Sequence, residues 1–146
     1  MIEVMIADDQ ELMRDSLHIL LSTKADIHIC SLVKNGKEVL AQIPETKPDV
    51  ILMDIRMPEL DGVTCTKLVK EAYPEIKIIV LTTFDDDEYI YDALKYGASS
   101  YLLKGVSLEE LYQAIQTVQN GGAIIHPNVA VKAMKMFSEM ANSTLE

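Results

Sequence analysis

Apolar residues along the chain fall in short runs that alternate with longer amphipathic stretches. Five runs stand out: Ile2–Ile6 (IEVMI), Ile27–Leu32 (IHICSL), Val50–Met53 (VILM), Ile76–Leu81 (IKIIVL) and Tyr101–Leu103 (YLL). The third and fourth are nearly continuous and rich in β-branched residues, which predicts strands covered on both faces. The first intervening stretch predicts a helix from about Gln10, with Leu12, Met13, Leu17, Leu20 and Leu21 on one side. A second helix runs from Gly36 to Ile43 and stops at Pro44. A third follows Asp61-Gly62, which reads as a turn and helix start rather than chemistry, and ends at Tyr73-Pro74. The fourth opens on Asp85, Asp86, Asp87 and Glu88, acids that suit a helix N-terminus, and ends at Gly97. The fifth opens on a capping box, Ser107 with Glu110 three residues on. Its Leu108, Leu111, Ile115 and Val118 share a face, and Gly121-Gly122 closes it.

A βα unit repeated five times implies an α/β fold, a doubly wound parallel sheet with helices on both faces. Ligands in such folds bind at the carboxyl ends of the strands. Strand one ends in Asp8-Asp9, strand three in Asp54, strand four in Thr82-Thr83 and strand five in Lys104. Three carboxylates held together repel one another unless a cation is near. A hard divalent ion with oxygen ligands answers that, and Mg²⁺ suits it because it keeps waters and leaves positions for phosphoryl oxygens. Lys104 adds a point charge suited to a phosphoryl group, and an aspartate can itself form an aspartyl-phosphate. Each residue also has a plainer reading. Asp9 could cap the first helix, Thr82 could bond to backbone, and Lys104 could be a solvated amine. Five fitting residues at four strand ends exceed what capping explains.

Charge and composition narrow this further. With 13 Lys+Arg against 23 Asp+Glu, the net charge of -10 argues against nucleic-acid binding by this chain alone. Hydrophobic residues form 49% of the 146, enough for one domain with a sizeable core. Cys30 and Cys65 lack any ligand spacing and read as free thiols of a reducing, cytoplasmic compartment. No signal peptide and no apolar stretch near the roughly 20 residues of a membrane span is present. His18, His28 and His126 are scattered, and none reads as a ligand or base.

ADD (Ala7, Asp8, Asp9), MDIRMPELDG around Asp54, LTT at strand four and SSYLLK at strand five resemble, in order and spacing, the receiver domains of two-component response regulators. The resemblance covers about residues 1–122. LTTFDDDEYIYDALKYGASSYLLKG and SLEELYQAIQTVQNGGAIIHP are most similar to the subgroup carrying a C-terminal LuxR/NarL-type helix-turn-helix, of the nitrate and envelope-stress kind. It implies a flavodoxin-like (βα)5 sheet of strand order 2-1-3-4-5. It implies that Asp54 accepts a phosphoryl group from a sensor histidine kinase. Asp9, Asp54 and the Arg56 backbone carbonyl would ligate Mg²⁺, with Asp8 acting through water. Lys104 would pair with the acyl phosphate and Thr82 would move to bond it. Tyr101 would then turn inward, and dimerisation would follow. Helices one and five are the expected interface, with Leu20, Leu21, Ile115 and Val118 as candidates that read equally well as core. Arg56 and Thr83 sit where the family tunes phosphoryl lifetime. One departure is Gly105, where many receivers have proline after the lysine.

Residues 123–146 leave the βα pattern. VAVKAMKMFSEM predicts a short helix in a linker toward an absent DNA-binding output domain, and Leu145-Glu146 reads as a cloning remnant. On this reading the chain is no enzyme beyond its own phosphoryl transfer and dephosphorylation. A stand-alone or degenerate receiver acting by protein contacts is the alternative. A Mg²⁺-dependent phosphohydrolase is another, but such enzymes place the nucleophile on the first strand. A flavin-binding protein fits worse, since no strand-end loop is rich in Ser, Thr and Gly.

Overall fold

The computed structural model describes residues 1–83, 89–125 and 127–145. Strands β1 (Ile2–Ala7), β2 (Ile27–Val33), β3 (Val50–Asp54), β4 (Lys77–Thr82) and β5 (Ser100–Leu103) alternate with helices α1 (Glu11–Leu21), α2 (Gly36–Thr46), α3 (Gly62–Ala72), α4 (Ile90–Lys95) and α5 (Leu108–Gln119). A short β6 (Ile124–Ile125) and a long α6 (Pro127–Leu145) follow. All pairings are parallel, in the order β2-β1-β3-β4-β5-β6. The expected order of five strands holds, and a sixth is added beyond β5. The acids at 85–88, expected to open the fourth helix, lie outside the described residues.

Side-chain alternation along the strands sorts the core into two layers. Met5, Ile51, Met53, Ile78 and Val80 face α2, α3 and α4, through Val39, Ile43, Val69, Ile90 and Ala93. Val4, Ile6, Val50, Leu52 and Ile79 face the other way, onto Leu21 of α1 and Leu111, Ala114, Ile115 and Val118 of α5. Burying each such aliphatic side chain contributes about 1.5–3 kcal/mol, so both layers hold the sheet rigid beneath its carboxyl edge. No helix among the described residues is long and apolar enough to cross a membrane.

Local chemistry sets the helix ends. Asp61 accepts from the Thr64 amide at 2.9 Å and caps α3. Ser107 Oγ accepts from the Glu110 amide at 3.1 Å and caps α5. Ser107→Ala is expected to lower stability by about 1 kcal/mol, measured by urea unfolding, with no change at the strand ends.

Two expectations need correction. The second helix does not stop at Pro44 but runs to Thr46, ending at Lys47 with φ 47°. A proline in the last turn removes one backbone bond without preventing the turn. The predicted apolar side of the first helix splits in two. Leu17 and Leu21, one turn apart, pack inward, whereas Leu12 and Leu20 are 81% and 45% exposed. At 100° per residue, positions 12 and 17 cannot share a narrow face. Of the interface candidates, Leu21, Ile115 and Val118 are wholly buried core and only Leu20 reaches solvent. Past residue 122 the chain adds β6 to the sheet, and the helix expected in the linker packs on α4.

Candidate functional site: an acidic cleft at the strand ends

Register brings the acids together. Ala7 pairs with Met53, so the next residues, Asp8 and Asp54, emerge side by side at the carboxyl edge. Asp54 itself pairs with Leu81, the residue before Thr82. The Lys104 amide donates to the Thr82 carbonyl at 2.7 Å, which seats the lysine at the same edge. The five strand-end residues therefore stand on four adjacent strands, as the sequence pattern implied.

The side chains converge as well. One oxygen from each of Asp8, Asp9 and Asp54 lies within 4.8 Å of the others. Lys104 Nζ is 3.2 Å from Asp8 Oδ2 and 3.2 Å from Asp54 Oδ1. Asp8 and Asp54 are buried and Asp9 is exposed, so the cluster opens to solvent on the Asp9 side. Burial, and then the neighbouring Asp8 charge, push the Asp54 carboxyl up to about 7 against the pull of Lys104. Burial alone would lower the Lys104 ammonium. The charges of Asp54 and Asp8 outweigh it and hold the group above its ordinary value. One ammonium thus faces three carboxylates, and the excess negative charge is what a divalent cation with oxygen ligands would balance.

Asp9 does not cap α1. Gln10 occupies the N-cap position with no side-chain cap bond. Asp8 instead holds the turn, its Oδ1 accepting from the Gln10 amide at 2.9 Å. Thr82 is buried at 1% exposure, with Oγ1 3.4 Å from the Thr83 carbonyl. Tyr101 is buried on β5, paired with Val80 of β4. Arg56 lies two residues past Asp54, between the buried anchors Ile55 and Met57. His28 pairs with Glu3 far from the cleft, at 2.6 Å.

Two residues of the site escaped the sequence reading. Arg14 Nη1 donates to the Asp8 carbonyl at 2.6 Å, tying α1 to the strand end. Its position in the first turn of a helix gives no signal in a single sequence. Gly62 is the other. Its amide donates to the Ile55 carbonyl at 2.7 Å, and a Cβ there would collide with the Asp54 carbonyl oxygen. It was legible as a turn glycine but not as the floor of the cleft. Gly62→Ala is expected to destabilise by about 2 kcal/mol and to displace Asp54, read as a lower urea midpoint.

Comparison with known proteins agrees with this arrangement. The response regulator receiver domain family matches residues 4–116. The transcriptional regulatory protein LnrK of Bacillus subtilis (strain 168) is 39% identical over 134 residues, covering 92% of this chain and 61% of that protein. The chain therefore spans less than two thirds of that relative's length. A crystal structure of a DNA-binding response regulator of the LuxR family from Staphylococcus aureus superposes with a TM-score of 0.77 at 31% identity, covering 82% of this chain and all of that one. RcsB of Salmonella typhimurium shares the fold at a TM-score of 0.86 and 22% identity, over 92% of this chain and 70% of its own. With its acids and lysine gathered at the family's strand ends, this chain belongs to the response regulator receiver domains of two-component systems.

Proposed function

We propose that Asp54 is the phosphoacceptor of a transcription regulator governed by a sensor histidine kinase. The observation that carries this is the pairing of Lys104 with both Asp8 and Asp54 at the carboxyl end of β3. The Asp54 carboxylate attacks the phosphorus of a kinase phosphohistidine. The P–N bond breaks and its electron pair leaves on the imidazole. Lys104 then trades a carboxylate contact for the acyl phosphate. Asp9, Asp54 and the Arg56 carbonyl would hold Mg²⁺, with Asp8 reaching it through water. When bound, the ion neutralises charge on the transferring oxygens.

Thr82 donates its hydroxyl to the new phosphate, and the space this leaves favours the inward position of the Tyr101 ring, which is buried here, so the fold shifts between two populations. The output is dimerisation and control of transcription through a DNA-binding part beyond this chain, in the cytoplasm. The relatives' greater length and the LuxR-family neighbour support that reading. The chain turns over nothing but its own phosphoryl group. Of the dimer candidates, Leu20 is the one exposed on α1, beside Leu12 and Ile19.

Intact mass after incubation with acetyl phosphate tests the proposal. One Mg²⁺-dependent phosphoryl adduct, stable in the cold and labile to hydroxylamine, is expected. No adduct under any condition would leave a degenerate receiver that works by contacts alone, and release of phosphate from many phosphomonoesters per chain would make it a hydrolase.

A further inference from the structure

Strand β5 has a neighbour on each side. Ser100 pairs with Ile124 and Tyr101 with Ile125 of β6. The Ile124 amide also donates to Ser100 Oγ at 3.1 Å. From there α6 packs against α4. Val129 and Ala133, one turn apart and each 3% exposed, join the same buried cluster as Tyr101, Ile90 and Ala93. Another turn on, the Phe137 ring meets Tyr91 of α4, with centroids 5.3 Å apart and planes at 59°. On the opposite side of the helix Val131 and Met134 are 68% and 70% exposed. One stripe of α6 is thus committed to α4, at the i, i+4, i+8 spacing of a packed helix face.

We propose that β6 and α6 form a clamp that holds Tyr101 in its buried position and so couples to phosphorylation at Asp54. The coupling half rests on reading Thr82 and Tyr101 as the switch pair. Tyr101 is 1% exposed, and the cluster around it is closed partly by α6 itself. Moving the ring outward would open the α4–α6 packing. Three residues on, the Lys104 amide is bonded to the Thr82 carbonyl, so one short strand links the seat of α6 to the acidic cleft. A phosphoryl group that draws Thr82 toward Asp54 favours the buried ring, and a docked α6 favours it too. Two effects that bias the same arrangement reinforce each other reciprocally.

Hydrogen exchange of the whole chain, read by mass spectrometry, tests both halves. Without any phosphodonor, Ala133→Glu and the milder Phe137→Ala are expected to speed exchange of residues 100–103 and 90–95 by about fivefold or more, while Val131→Glu leaves them unchanged. Should Ala133→Glu fail to fold, Phe137→Ala decides. Equal exchange in both variants and wild type overturns the clamp, whatever happens at Asp54. With acetyl phosphate and Mg²⁺, exchange of residues 129–140 in the wild type is expected to slow by about fivefold. Unchanged or faster exchange in a phosphorylated sample overturns the coupling. Absence of a phosphoryl adduct overturns the phosphoacceptor reading and the coupling with it, and leaves the clamp to be judged by residues 100–103.

Discussion

The Asp54→Asn chain is expected to take up no phosphoryl group, yet to melt higher than the wild type at pH 8 in the absence of divalent cations. An amide cannot attack phosphorus as a carboxylate does, so the adduct should vanish. The stability gain follows from the raised carboxyl. Asp54 titrates near 7 in the folded chain, against 3.8 as the ordinary value. The folded state therefore holds its proton more tightly than the unfolded state. The penalty for ionising it is absent below the ordinary value, and grows as pH rises toward 7. A shift of that size corresponds to about 4 kcal/mol as an upper bound. Loss of the Lys104 contact takes back part of it, leaving a net gain of about 1–2 kcal/mol and about 4 °C in melting temperature. Calorimetry at pH 8 and pH 5 with chelator present checks this. The gain should shrink toward pH 5, and a variant that melts lower at pH 8 would show that the lysine contact outweighs the repulsion. Mg²⁺ should narrow the difference by stabilising the wild type more.

Lys104→Ala should do the reverse. It removes the one ammonium placed 3.2 Å from both Asp8 and Asp54 and leaves buried carboxylates facing each other. Breaking a buried ion pair from one side is costly because the stranded charge has no water to return to. We expect a loss of about 3 kcal/mol at pH 8, smaller below pH 6 where Asp54 takes up a proton. Phosphoryl uptake from acetyl phosphate should fall as well, since the acyl phosphate loses its cation. The double variant Asp54→Asn/Lys104→Ala should lose less stability than the sum of the two single effects, because the charge that Lys104→Ala strands at Asp54 is gone. If the two effects simply add in urea unfolding, the lysine acts through packing of its stem rather than through its charge.

The layout of the strands was readable because each apolar run stops at a polar residue, and in a parallel sheet those stops line up. That logic brought Asp8, Asp9, Asp54, Thr82 and Lys104 to one edge before any coordinates. What it missed has physical causes. Ile124-Ile125 is too short to show a period of two, so β6 was invisible. The helix after it was legible, but the stripe Val129, Ala133, Phe137 does not say which face it will meet. In α1 the apolar residues occupy two sides, so a simple count of leucines placed Leu12 and Leu20 inside when they are exposed. The contacts of Arg14 and Gly62 depend on backbone approach, which side-chain patterns do not encode.

β6 has a consequence for how copies of this protein meet. The side of a sheet is a template on which another strand can grow, and long, flat, unpaired sides invite aggregation. Here β6 covers Ser100 and Tyr101, the first two of the four residues of β5, and is itself only two residues long. The chain then reaches Pro127, which has no N–H to offer. The stretch open to growth of the sheet from one molecule into the next is thereby kept short on that side. Any variant that peels β6 away should betray itself first as turbidity at high concentration.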